Sequence, residues 1–176
     1  YDRELNDIFA LQDEITQTIV AAIGPEIDQF ERERAQRLPP DNLDAWESYQ
    51  RALWHVYRFS KGDNAEAQRL FKQAIIHSPN FAPAHAGFAH ALYFSFMHGY
   101  ADDRPAALTH AFEAVRAAVA IDDRDADAHF ALGRILYLRR MHEASLFEFE
   151  AAVTVNPSLA HAHLGYGSAL GYSGQW

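Results

Sequence analysis

DRDADAHFALGRILYLRRMHEASLFEFEAAVTVNP, residues 123–157, decides the fold. Asp123 and Pro157 mark equivalent points 34 residues apart, and His129, Leu132, Gly133, Leu136, Ser145, Phe149 and Ala152 lie between them. The order is a bulky residue, a leucine, a glycine, a large apolar residue, a small residue, an aromatic and an alanine. Two antiparallel helices explain it. Gly133, Ser145 and Ala152 leave room for a close crossing, and Leu132, Leu136 and Phe149 fill the space that remains.

The same order recurs outward from this stretch. Ala67, Phe71, Ala74 and Pro79 form the second half of an earlier unit, after a helix carrying Trp46, Tyr49, Leu53 and Tyr57. Gly62-Asp63-Asn64 lies between those helices, with Asn64 expected to cap the second. The next unit holds His85, Phe88, Ala89 and Leu92, then Ala111, Val115, Ala118 and Asp123. Ala89 and Ala111 are 22 residues apart where Gly133 and Ser145 are 12 apart, so an enlarged connection is expected around His98 to Arg104. Tyr166, Gly167 and Leu170 begin a fourth unit, and Gly174-Gln175-Trp176 stands where its turn should start, so its second helix is expected beyond the fragment. A period of about 34 residues is the tetratricopeptide pattern. The expected fold is all-α: seven helices in an α-α superhelix, a solenoid whose units bury their faces by stacking and leave a concave groove.

Composition supports a packed chain and removes several functions. Hydrophobic residues make up 49% of the 176, enough for a core and too many for a disordered chain. No apolar run reaches the roughly 18 residues of a membrane span. A net charge of −9 argues against nucleic acid, whose binding rests on cations displacing phosphate counterions. The absence of cysteine excludes disulfides and thiolate chemistry and is compatible with the cytoplasm, the expected compartment.

Charge is uneven along the chain. Residues 1–45 hold 11 acids and 4 bases, whereas residues 46–176 hold 13 acids and 11 bases. The change falls near Pro39-Pro40, where a helix is interrupted. The expected division is therefore an N-terminal helical segment, 1–40, and a repeat domain, 41–176. Ile8, Leu11, Ile15, Ile19 and Ile23 line one face of a helix, Gly24-Pro25 breaks it, and Ile27 and Phe30 begin a weaker stripe. These helices are expected to cap one end of the stack.

The opening YDRELNDIFALQDEITQTIVAAI, followed by ERERAQRLPPDNLDAWESYQRALWHVYRFSKGDNAEAQRLFKQAI, resembles the tetratricopeptide C-terminal region of bacterial class III adenylate or guanylate cyclases. It is similar also to that region in some winged-helix transcriptional regulators. The resemblance implies that YDREL ends a small α/β domain and that an output domain lies further upstream. It carries over no catalytic residue.

Motifs for chemistry fail on their spacing. His85, His129 and His163 share one position in three units, but packed helices lie about 8–10 Å apart, too far for bonds of about 2 Å to one ion. His142-Glu143 lacks a second histidine, because Leu146 stands in its place. Asp123, Asp125 and Asp127 alternate like calcium ligands, but Ala128 and Arg134 replace the needed glycine and glutamate. The aspartates are better placed to cap the helix that starts near Ala126. Gly165, Gly167 and Gly171 have the wrong spacing for a dinucleotide loop and read as small residues at helix crossings. No cofactor, metal or enzymatic activity is expected of this chain.

The groove remains. Phe130, Arg134, Tyr137 and Leu138 are expected to project into it from one unit, and Ala86, His90, Tyr93 and Phe94 from the one before. Tyr49, Leu53 and Tyr57 of the first unit are further candidates. An aromatic surface with isolated positive groups suits an extended or helical protein segment with apolar anchors. It lacks the lysines and asparagines that grip acidic chaperone tails. The competing expectations are that these aromatics are core, or are covered by the N-terminal helices. Two functions follow: an interaction or regulatory module coupled to an upstream cyclase domain, or a dimerisation element of a winged-helix regulator. A homodimer through the apolar helix from Leu164 to Tyr172 would serve the second.

Overall fold

The structure, a computed structural model, describes residues 44–173. The expected N-terminal helices, their capping role and the boundary at Pro39-Pro40 lie outside the described residues, as do Gly174, Gln175 and Trp176.

Seven helices and no strand occur among the described residues: α1 (Ala45–Val56), α2 (Lys61–His77), α3 (Ala82–Met97), α4 (Arg104–Ile121), α5 (Ala126–Leu138), α6 (His142–Val155) and α7 (Ala160–Ser173). Each packs on the next in sequence, and the odd-numbered helices also touch their nearest odd neighbours: α1 on α3, α3 on α5, and α5 on α7. This is the contact pattern of stacked hairpins, in which every unit buries its faces on its neighbours. No described helix is long and apolar enough to cross a membrane.

Caps set the starts. Asp44, Ser60, Asp103 and Asp125 each accept a bond from the backbone N–H three residues on, satisfying one orphan donor of the first turn. Asp125 is thus the expected cap of α5. Asn64 is not the cap of α2, because Ser60 caps that helix and Gly62-Asp63-Asn64 already lies inside it. Instead Asn64 is buried and donates through Nδ2 to the carbonyl of Ala91, 2.9 Å away on α3.

The turns inside the three complete units each place one residue in the left-handed region: Phe59 (φ 50°), Gly99 (φ 67°) and Arg140 (φ 61°). The ten added residues of the second unit do not form one long loop. Three extend the end of α3, four extend the start of α4, and three enlarge the turn to 98–103.

The crossings use the small residues the repeat predicts. A Cβ on Gly133 would lie 2.8 Å from the Phe149 ring, and Ser145 Oγ donates to the Gly133 carbonyl at 2.8 Å. Gly165 serves a second crossing on the same ring, with a Cβ distance of 2.7 Å, whereas nothing lies within 4 Å of a Cβ on Gly167. Leu132, Ile135 and Leu136 of α5 pack with Ala89 and Leu92 of α3 and Ala111 and Val115 of α4 in the central core.

The three equivalent histidines have one job. His85, His129 and His163 each place Nε2 against the carbonyl six residues earlier, on Pro79, Asp123 and Pro157, at 2.8, 2.9 and 2.8 Å. The carbonyl belongs to the link from the preceding unit, so the ring fastens one hairpin to the next.

Candidate functional site

An open cleft of about 490 Å³ runs across α3, α5 and α7. Tyr93 and Met97 of α3 line one side, Phe130, Arg134, Tyr137 and Leu138 of α5 line the floor, and Leu164 and Ser168 of α7 line the other side, with Phe149 beneath. Five expected groove residues therefore meet in one place: Tyr93, Phe130, Arg134, Tyr137 and Leu138. Their spacing on α5, at 130, 134, 137 and 138, keeps them on one helical face.

His90 and Phe94 are placed differently. Phe94 stacks between His90 and His98, with centroids 4.9 and 5.0 Å away, and packs on Phe59 at 5.6 Å. Tyr100 continues the ladder at 5.5 Å from His98 and donates its hydroxyl to the Phe59 carbonyl. These rings join α3 to the turn after α1 and do not line the cleft. Tyr49 is packed among Trp46, Phe71 and Phe81, and Leu53 lies against the core of the first unit. Ala86 is buried beside Ala118 and Ala128. Tyr49, Leu53 and Ala86 therefore belong to the packing between helices and do not line the cleft. Tyr57 lies beyond α1 and is 62% exposed.

Leu164 and Ser168 escape the sequence reading although the repeat could have found them. They stand one 34-residue period after Phe130 and Arg134.

Arg134 is the polar centre of the cleft. Its guanidinium lies 3.7 Å from the Tyr93 ring centroid and 5.1 Å from that of Phe130. Such stacking partly compensates a cation for lost water. Burial lowers its pKa below the ordinary arginine value, and hydrogen bonding to Tyr93 opposes that shift. Its Nε is buried with no hydrogen-bond partner, and no ion pair to Arg134 occurs among the described residues. His90 adds no charge at neutral pH. Burial, with the positive charge of Arg134 nearby, pushes its pKa down to about 3. His161 caps the far side, with its ring 4.4 Å from Phe130 and its Nε2 3.1 Å from Asp127 Oδ1.

This arrangement can grip an apolar segment and one anion. Among the described residues, no three His, Asp or Glu side chains are grouped to hold a metal.

No family model matches the chain. A putative adenylate cyclase of Rhizobium meliloti (strain 1021), "Putative adenylate cyclase 3", is 30% identical over 145 residues. The match covers 82% of this chain, and the chain spans 25% of that protein. The fold is similar to the tetratricopeptide protein TTC0263 of Thermus thermophilus, with a TM-score of 0.70, 15% identity, and 82% of this chain and 73% of that one covered. It is similar also to the first tetratricopeptide domain of Spaghetti (RPAP3) bound to the HSP90 peptide SRMEEVD, with a TM-score of 0.54, 16% identity, and coverage of 71% and 94%. The chain has the tetratricopeptide-repeat fold and is similar in sequence to part of a putative adenylate cyclase.

Proposed function

We propose that residues 41–176 form a protein-binding regulatory module of a larger cytoplasmic signalling protein, joined through residues 1–40 to an adenylate cyclase domain outside this chain. The chain itself performs no catalysis in this reading. The observation that carries it is the convergence of Tyr93, Phe130, Arg134, Tyr137 and Leu138 on one open cleft. Aromatic anchors around a recessed arginine are the side chains that dominate binding energy at protein interfaces. The peptide held by the Spaghetti domain supports a similar use of the fold here. The test compares capture from a bacterial lysate on immobilised wild-type chain and on Tyr93→Ala/Tyr137→Ala. Loss of the same captured proteins from the double variant is expected, and unchanged capture overturns the cleft assignment.

A second reading rests on α7. Leu164 is 74% exposed there, although Ala162 and Ala169 of the same helix are buried. An apolar side chain so open favours self-association. Sedimentation should show a dimer that grows with concentration and is lost in Leu164→Asp. A constant 19.9 kDa species at high concentration overturns it.

A further inference from the structure

The geometry points to a specific ligand chemistry for this cleft: a protein segment that offers one internal aspartate or glutamate side chain to Arg134, flanked on both sides by apolar anchors. This inference rests on the interaction reading above and deepens it.

Three observations converge. First, among the described residues Arg134 has no counter-anion. Its neighbours are the faces of Tyr93 and Phe130, its Nε is buried and unpartnered, and Asp127 is within hydrogen-bond reach of His161. A carboxylate arriving beside this guanidinium gains a charge-assisted bond without breaking an ion pair. Second, the cleft offers one positive charge. His90 is neutral at pH 7, and His161 is engaged with Asp127, so a run of several acids would bring carboxylates that nothing here answers. Third, Arg134 is central. Tyr93 and Met97 lie toward α3, and Leu164 lies toward α7. An acid within a segment lets apolar neighbours fill both flanks, whereas a terminal carboxylate would leave one flank bare.

The probe is a capped helical peptide with one central glutamate and two leucines a turn away on either side. Its counterparts carry glutamine at the centre, or end in a free carboxylate at that position. Fluorescence anisotropy is measured with the whole chain. The glutamate peptide should bind about tenfold tighter than the glutamine peptide, which corresponds to about 1.4 kcal/mol, and tighter than the truncated one. Arg134→Gln should erase that preference, and a circular-dichroism melt like that of the wild type shows that the variant is folded. Equal binding of both full-length peptides, a preference that survives Arg134→Gln, tighter binding of the truncated peptide, or binding of none of them overturns the proposal. The interaction reading is judged separately, by the capture experiment with Tyr93→Ala/Tyr137→Ala.

Discussion

His129 lies between two acceptors: Nδ1 is 2.7 Å from Glu148 Oε2, and Nε2 is 2.9 Å from the Asp123 carbonyl. A neutral imidazole carries one N–H, so satisfying both requires the imidazolium. Burial pulls its pKa down, but the bonds to Glu148 and Asp123 and the nearby acids outweigh that pull and raise it above the ordinary value. A raised folded-state pKa gives stability that is fully present below the unfolded value of about 6.5 and is lost as pH rises through the folded value. The melting temperature of the wild type should therefore fall as pH rises above about 6.5 more steeply than that of His129→Gln. Parallel pH profiles by calorimetry would contradict this.

Gly133→Ala should destabilise the chain despite the better helix propensity of alanine. The new methyl would sit 2.8 Å from the Phe149 ring, whose residue is 3% exposed and has little room to withdraw. Overpacking of this kind costs about 1–3 kcal/mol. Gly167→Ala meets nothing within 4 Å and should gain up to about 1 kcal/mol. Urea unfolding of the two variants reads the contrast.

Arg140→Gly should stabilise the chain by roughly 0.5–1 kcal/mol. Arg140 is exposed and holds φ 61°, a conformation that costs a side-chain-bearing residue about 1–2 kcal/mol, partly offset by the greater freedom of glycine when unfolded. The same turn in the second unit already uses Gly99. A lower urea midpoint for the variant would refute the assignment.

Arg134→Met should raise the melting temperature while weakening partner capture. Arg134 is a partly buried charge with no counter-ion among the described residues, and replacing it with an apolar side chain of similar length should stabilise by about 1 kcal/mol. Lost binding alongside gained stability separates a ligand-binding arginine from a structural one.

Much of the fold is legible in the sequence because close packing repeats with a fixed period. Gly133, Ser145 and Phe149 specify one crossing, and the same order upstream specifies the others. The second unit is harder to read. Added residues can extend either helix or the loop between them, and neither Ser95-Phe96-Met97 nor Arg104-Pro105-Ala106-Ala107 carries a pattern that tells helix from loop. Asn64 misleads because asparagine is both a good cap and a good interhelical donor, and the choice turns on Ser60 four residues earlier. The α5 half of the cleft follows from helical spacing. The placement of His90 and Phe94 does not, because the ladder that absorbs them includes Phe59 and Tyr100, brought together only by the tertiary fold.

The six-residue reach from each histidine to its carbonyl sets a ruler between hairpins. One residue inserted between Pro157 and His163 would move the ring off its acceptor and rotate everything that follows. A whole copied module, such as 123–156, would keep every join in register. Lengthening by complete modules is therefore mechanically tolerated where lengthening by single residues is not.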